Sequence, residues 1–198
     1  VRYDLLKNKK QTLSSLQIGV DAYHNREKNK IVAYPKGQQF RWTILNLGKV
    51  DIRGIDANII SEFQLPKDIQ LTAKAQYTYQ EAIDVSDDPD MSSIHGHQIP
   101  YIPWHSGSFT AMLNWKSWTM NYSFMYVGER YNQQENIWVN YTQPWYTHDM
   151  SIIKNIKLKN MDMRLTADIN NLLSQDYDVI LNYPMPKRNY RLSIAITF

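Results

Sequence analysis

The chain has 198 residues, no cysteine and a formal net charge of +3 at pH 7, so disulfides and thiolate chemistry are excluded. It contains no run of about 18 uninterrupted apolar residues, which excludes crossing of a membrane by a helix. The Lys and Arg residues are scattered rather than clustered, which argues against a nucleic-acid partner. With 14 Tyr and 6 Trp against 7 Gly, the composition favours a β-rich protein, either a membrane barrel with aromatic girdles or a secreted β-sandwich.

Alternation of apolar and polar residues predicts strands along the whole chain. In the best example, residues 69–80, Ile69, Leu71 and Ala73 alternate with Gln70, Thr72 and Lys74. The predicted strands cover residues 1–6, 13–27, 43–65, 69–80, 99–115, 118–126, 146–156, 161–170 and 187–198. The first is a stub, and the other eight are long.

In the predicted strand 43–65, the apolar residues change from even to odd positions near the centre. Val50 and Ile52 are apolar at even positions, whereas beyond Gly54 the apolar residues begin at Ile55, on odd positions. One extra residue in a strand has this effect, so the sequence predicts a β-bulge at Gly54.

The predicted connections alternate in length. Short turns fall near residues 9, 67, 117 and 159, and long loops, including 28–42 and 84–98, fall near residues 35, 90, 137 and 181. In an antiparallel meander this places all short turns at one end, as in barrels with short periplasmic turns and long extracellular loops. A β-sandwich has the same alternation, but strands beyond ten residues exceed the usual five or six and fit a bilayer span. We therefore predict an all-β, antiparallel transmembrane β-barrel.

Three segments resemble the barrels of TonB-dependent outer-membrane receptors. Residues 46–56 read NLGKVDIRGID, residues 99–107 read IPYIPWHSG, and residues 168–177, DINNLLSQDY, precede the closing segment PMPKRNYRLSIAITF. The pattern departs at Lys187, where glycine is common, and at Leu173 and Ser174, where Phe and Asp are common.

The resemblance implies that residues 1–198 form the C-terminal part of a barrel domain, the last eight or nine of about 22 strands, without the N-terminal plug and the earlier strands. The sequence begins at Val1 without a methionine, and nothing after it resembles a signal peptide, which likewise predicts a mature product or a fragment. The family lies in the outer membrane of Gram-negative bacteria and imports a scarce large nutrient, such as a siderophore or cobamide, by TonB-coupled active transport. The implied partners are the plug and remaining strands of the same receptor, the TonB energy coupler, outer-membrane lipid and a surface lipoprotein.

Aromatic residues in and beside the long loops are the predicted ligand contacts, with loop packing or interfacial anchoring as the alternative. They are Trp138, Tyr141, Trp145 and Tyr183. Tyr77, Tyr79, Tyr122 and Tyr126 share the apolar face and are predicted to form an outer aromatic belt. The resemblance further implies that Tyr190 and Phe198 belong to a C-terminal assembly signal.

No catalytic motif or metal-ligand spacing supports an enzyme or a cofactor. His95 and His97 are alternate residues of a polar loop, and the acidic residues from Asp84 to Asp90 do not match an EF-hand, so a solvated loop is favoured over a metal site. The rival to the importer is a binding or adhesion module, either a small self-contained outer-membrane barrel or a secreted β-sandwich.

Overall fold

The computed structural model describes residues 2–7, 12–36, 41–86 and 94–198. Nine strands build the main sheet: β1 (Arg2–Lys7), β2 (Leu13–Lys28), β5 (Lys49–Leu65), β6 (Ile69–Asp84), β7 (His105–Trp115), β8 (Trp118–Val127), β11 (Trp145–Lys157), β12 (Asp162–Asn170) and β15 (Asn189–Thr197). Three hairpins lie in the connections: β3 (Ile31–Lys36) with β4 (Arg41–Asn46), β9 (Arg130–Tyr131) with β10 (Tyr141–Thr142), and β13 (Asp178–Ile180) with β14 (Tyr183–Pro184). Among the described residues, no helix has the length and apolar character to cross a membrane.

The nine strands follow one another in the sheet in chain order, and every neighbouring pair is antiparallel. The predicted meander of eight long strands and a stub is therefore confirmed. Lys67 and Asp68 form one short turn with φ of 64° and 58°, and Lys116 forms the next with φ of 54°. The first predicted turn, at residues 7–11, lies almost wholly outside the described residues. A second sheet packed against the first, as a sandwich requires, is not formed by the part of the chain that the structure describes.

One face of the sheet is apolar because the register aligns the apolar positions of successive strands. Ile59 pairs with Ala75, Ala75 with Phe109, and Phe109 with Phe124. The residues between these apolar positions are polar and lie on the other face of the sheet. There Asn58 pairs with Gln76, and Gln76 pairs with Ser108. An exposed apolar face opposite a polar face is the pattern of a barrel wall between lipid and an aqueous lumen.

Aromatic residues bound the apolar face at both ends. At the long-loop end, the His105 ring lies 5.2 Å from that of Tyr79. At the other end, Trp115 pairs with Trp118 across the short turn, and Lys154 Nζ lies 4.3 Å from the Trp118 ring. From His105 to Trp115 a strand advances about 33 Å, or about 23 Å along the membrane normal at a tilt of about 45°. That height matches the apolar band of about 25 Å in outer-membrane barrels.

The predicted bulge at Gly54 is wrong. Gly54 pairs with Tyr23 on one side and with Gln80 on the other, and the register is continuous through it. The parity changes because Val50 and Ile52 lie on the polar face above the lipid-facing segment, where they enter a small core under the loops. The other buried members of this core are Leu47, Ala82 and Ile99.

Two other boundaries differ from the prediction. The loop predicted at 28–42 contains β3 and the start of β4, and the strand predicted from residue 99 begins at His105. Residues before His105 instead pack along β6, where Ile99 N donates to Ala82 O at 2.8 Å.

Candidate ligand-binding site in the long loops

The long connections gather at one end of the sheet and are fixed to one another by side chains. Asn136, in the connection 128–144, accepts a hydrogen bond from Gln98 N at 2.7 Å and donates one to Gln98 O at 3.0 Å. The Gln98 side chain is itself buried and donates to Gln80 O at 3.3 Å. This double hydrogen bond attaches the connection 128–144 to the connection 85–104, so the two form one surface.

Four rings form a continuous row across this surface, which we call the aromatic strip: Trp104, Tyr131, Tyr141 and Trp138. Their successive centroids lie 5.8, 6.1 and 5.3 Å apart. Trp138 stacks on Tyr141 at an interplanar angle of 9°, and the Trp138 residue is 82% exposed. The strip therefore presents a flat aromatic surface to solvent at its Trp138 end.

The hydroxyl of Tyr141 is held as a donor. It donates a hydrogen bond of 2.9 Å to the Glu129 carboxylate. This hydrogen bond and, to a smaller extent, desolvation raise the pKa of Tyr141 above its usual value. The phenol therefore remains protonated at neutral pH, and its ring orientation is fixed by the carboxylate.

A groove of about 360 Å³ adjoins the strip at Tyr141. Trp145, 7% exposed, lines it and stacks on Tyr177 at 4.6 Å. Burial raises the pKa of Tyr177. The remaining lining residues are Thr142, Gln143, Pro144, Asp176, Asp178 and Leu181. The groove thus lies between the connections 128–144 and 171–188, and combines aromatic surface with two carboxylates.

Arg130 joins the two sides of this groove. Its side chain lies in a residue that is only 2% exposed, and its guanidinium donates to the carbonyls of Gln143 at 3.4 Å, Asp178 at 2.8 Å and Val179 at 3.2 Å. Burial lowers the pKa of Arg130, yet the guanidinium remains protonated at neutral pH because it is the most basic side chain in proteins. A buried cation bound by three backbone carbonyls is a structural tie between two loops.

Residues of the segments that carry the family resemblance form hydrogen bonds within the connection 171–188. Asn171, at φ of 50°, accepts from Gln175 N at 2.8 Å and donates to Gln175 O at 2.8 Å. Its amide also donates to Pro186 O at 3.3 Å, and Arg188 Nε donates to Leu172 O at 2.7 Å. These residues set the shape of the loop and are not part of the groove lining.

The four predicted ligand contacts fall in three places. Trp138 and Tyr141 are stacked in the aromatic strip, Trp145 is buried in the groove wall, and Tyr183 lies in β14 and is 40% exposed. Sequence reasoning missed Tyr131 and Trp104 of the strip. Tyr131 is an aromatic residue in a predicted long loop, whereas Trp104 fell within the strand predicted from residue 99. Sequence reasoning also missed Arg130 and Tyr177, which nothing in the sequence marks as buried.

The histidines considered as metal ligands serve the loop structure instead. His97 Nδ1 accepts a hydrogen bond from Asn136 N at 3.3 Å, and His95 Nδ1 lies 3.1 Å from Ser86 O. Asp87, Asp88 and Asp90 lie outside the described residues. Among residues 2–7, 12–36, 41–86 and 94–198, no three His, Asp or Glu side chains are grouped so as to hold a metal ion.

Solved structures with the same fold include receptors for iron chelates and a copper transporter. The ferric preacinetobactin receptor BauA from Acinetobacter baumannii matches with a TM-score of 0.69 and 16% identity, over 98% of this chain and 28% of that one. The siderophore receptor PiuA from Acinetobacter baumannii has a TM-score of 0.64 and 18% identity, over 98% and 26%. The unliganded ferric citrate transporter FecA has a TM-score of 0.68 and 13% identity, over 99% and 30%.

This chain thus spans less than a third of the length of each of these proteins, and identities this low show the fold alone. Membership of a family rests on the sequence itself. The family described as TonB dependent receptor-like, beta-barrel matches residues 7–172, which is most of the chain. The chain therefore belongs to the TonB-dependent receptor β-barrel family.

Proposed function

We propose that this chain is the C-terminal part of the barrel of a Gram-negative outer-membrane receptor that imports a scarce large nutrient by TonB-coupled active transport. The observation that carries this proposal is the nine-stranded wall, with its apolar band of about 23 Å and its polar opposite face, in a chain of this family. The earlier strands of the same receptor complete the barrel, and its plug fills the lumen and contacts TonB. Such a receptor moves its ligand without covalent chemistry, so the chain is not an enzyme and needs no cofactor.

The polar face supports contact with a plug. Near the short turns it contains a concavity of about 700 Å³, whose lining includes Gln17, Glu62, Gln70 and Asn114. These side chains offer hydrogen-bond donors and acceptors to a polar protein surface in the lumen. A surface lipoprotein, also expected as a partner, has no support from the comparisons.

The aromatic strip and the adjoining groove are the proposed ligand contacts. Exposed rings bind a ligand by burying area and by stacking, and the groove adds hydrogen-bonding groups. BauA, PiuA and FecA are named for ferric preacinetobactin, a siderophore and ferric citrate, and OprC is named for copper, which supports a metal ion or metal chelate over a cobamide or an oligosaccharide. We assign Trp138 and Tyr141 to direct contact, Trp145 to the groove wall and Tyr183 to the rim of the site.

An uptake assay tests the proposal. A strain lacking the full receptor is compared with the same strain carrying it, using radiolabelled iron chelates, cobamides and oligosaccharides. We expect receptor-dependent uptake of one ligand class, abolished when TonB is absent. Uptake that does not depend on the receptor for any class, or that persists without TonB, contradicts the proposal.

A point variant then tests the strip. Trp138→Ala removes the exposed stacking ring, and we expect about tenfold weaker binding, since aromatic contacts contribute about 0.5–1.5 kcal/mol beyond area burial. Val139→Ala is the control, because Val139 is the next residue, is 77% exposed and has no ring. Equal ligand affinities of the two variants would show that the aromatic strip is not part of the binding site.

Tyr190 and Phe198 are proposed as the C-terminal assembly signal. Tyr190 lies at the lipid-facing parity of the closing strand, Phe198 directly follows the last residue of that strand, and the two are 70% and 96% exposed. An exposed aromatic residue in this position is available to an assembly factor before the barrel closes.

A further inference from the structure

The outer ends of β2, β5 and β6 place charged side chains on the lipid-facing side of the wall. Here His24 pairs with Arg53, and Arg53 pairs with Glu81. Two residues farther from the short turns, Arg26 pairs with Asp51. Directly below is the apolar row of Ala22, Ile55 and Tyr79. The change from apolar to charged residues is thus complete within two residues along each strand.

The charged rows lie at the height of lipid headgroups. Two residues advance a strand by about 6.6 Å, or about 5 Å along the membrane normal at a tilt of about 45°. Since Tyr79 belongs to the aromatic girdle at the end of the apolar band, Arg53 stands about 5 Å and Arg26 about 9 Å above that boundary. The headgroup layer of a bilayer leaflet extends about 5–8 Å beyond the hydrocarbon, so the backbone of Arg53 lies at its inner edge and that of Arg26 lies just above it, within the reach of an arginine side chain.

The two arginines are arranged over carboxylates. Arg26 Nη2 donates to Asp51 Oδ2 at 2.8 Å, and Arg53 Nε donates to the Glu81 carboxylate. The carboxylate side chains are 13% and 22% exposed, whereas those of Arg26 and Arg53 are 65% and 64% exposed. Each guanidinium has five N–H donors, so pairing with one carboxylate orients it and leaves donors for a second, external anion.

The patch is positive overall. It comprises Arg26, Lys28, Lys49 and Arg53 against Asp51 and Glu81, with His24 beside them. Four cations and two anions give +2 with His24 neutral. We call these residues the basic patch.

We propose that the basic patch binds the phosphorylated headgroup of an outer-leaflet lipid. Arginine recognises phosphate through paired N–H donors, and the apolar row below the patch accommodates the acyl chains of the same molecule. A lipid satisfies both features at once, whereas a soluble anion uses only the first. The inference rests on the proposed outer-membrane location, and it goes beyond nutrient import.

The test uses the full receptor purified in detergent and titrated with lipid A, a bis-phosphorylated glycolipid, with binding followed by native mass spectrometry. The variant is Arg26→Gln with Arg53→Gln. The control is Lys116→Gln with Lys159→Gln, which also removes two positive charges, from turns at the opposite end of the sheet. We expect at least a tenfold loss of lipid A affinity in the patch variant and an unchanged affinity in the control.

Two further probes identify what is bound. Enzymatically dephosphorylated lipid A should bind at least tenfold more weakly than lipid A, and inorganic phosphate should not compete at millimolar concentration. Equal binding of the dephosphorylated lipid would mean that only the acyl chains matter, and competition by free phosphate would mean a soluble-anion site. Either result overturns the proposal.

Folding and transport are measured on the same proteins. We expect the patch variant to keep its heat-modifiable migration and its nutrient uptake, so a failure of lipid binding is distinct from a failure of the importer assignment. If the double variant does not fold, Arg26→Lys and Arg53→Lys retain the charge and remove the paired donors. Their lipid A affinity should then fall by severalfold, and an affinity equal to that of the unaltered receptor would overturn the proposal.

Discussion

Replacing Arg130 by Met should release the connection 171–188 from the connection 128–144 without unfolding the sheet. Methionine fills much of the buried volume of arginine but offers no donor to the three carbonyls of Gln143, Asp178 and Val179. The expected effect is therefore local and confined to the junction where the groove is formed.

The magnitude follows from the geometry of the three hydrogen bonds. The 2.8 Å bond to Asp178 O is charge-assisted, and such bonds contribute about 1.5–3 kcal/mol. The bonds of 3.2 and 3.4 Å are longer, and we assign about 0.5 kcal/mol to each. Removal of a buried cation recovers part of this loss, because its desolvation cost also disappears. A net loosening of about 2–3 kcal/mol remains, which corresponds to roughly 30- to 150-fold faster local opening.

Hydrogen exchange of the full receptor in detergent measures this opening. We expect the amides of residues 178–186 to lose protection by that factor, while the amides of β7 and β8 keep theirs. Lys159→Met is the control, since Lys159 is exposed in a turn at the opposite end of the sheet. Unchanged protection at 178–186 would refute the role of Arg130 as a tie, and equal loss throughout the sheet would show that Arg130 supports the whole fold.

Gly54→Ala should lower the free energy of unfolding by about 1–3 kcal/mol in urea titrations, because an added Cβ would lie 2.5 Å from the Tyr79 carbonyl oxygen. Gly107→Ala, whose Cβ would lie 3.1 Å from its nearest atom, should cost less, and the reverse order would contradict this explanation. Ala111→Arg should destabilise the receptor in lipid by about 2–4 kcal/mol, since Ala111 is on the lipid-facing side, whereas Met112→Arg on the polar face should be tolerated. Equal effects of these two substitutions would mean that the faces are assigned incorrectly. Phe198→Ser should reduce the amount of full receptor at the cell surface relative to Leu173→Ser, and equal surface amounts would leave Phe198 without a role in assembly.

The sheet was predictable because lipid and lumen impose opposite polarities on adjacent residues. Alternation such as that of Ile69, Gln70 and Leu71 gives the strands, and the spacing of polar turns gives their order. The alternation rule gave a wrong prediction, a β-bulge, at Gly54. The strand continues beyond the lipid into a region where Val50 and Ile52 pack inward under the loops. A change of environment along one strand produces the same sequence pattern as a bulge.

The loops were less predictable because their structure depends on contacts between distant segments. β3 lacks alternation and contains Pro35, so it was predicted as loop, yet it pairs with β4 as a separate hairpin. The exposure of an aromatic residue in a loop cannot be read from the sequence either. Trp138 and Trp145 are both loop tryptophans in the sequence, but one is 82% exposed and the other is 7% exposed.

The unequal lengths of the strands make the rim of the wall uneven. β6 continues from Tyr79, which pairs with the first residue of β7, to Asp84, five residues farther and about 12 Å higher along the membrane normal. On that side the rim is a hydrogen-bonded sheet with the β3–β4 hairpin between β2 and β5, whereas toward β15 it consists of hairpins attached by side chains such as Arg130. If the long loops bind a ligand as proposed, we therefore expect the hairpins, rather than the extended part of β6, to adjust around it.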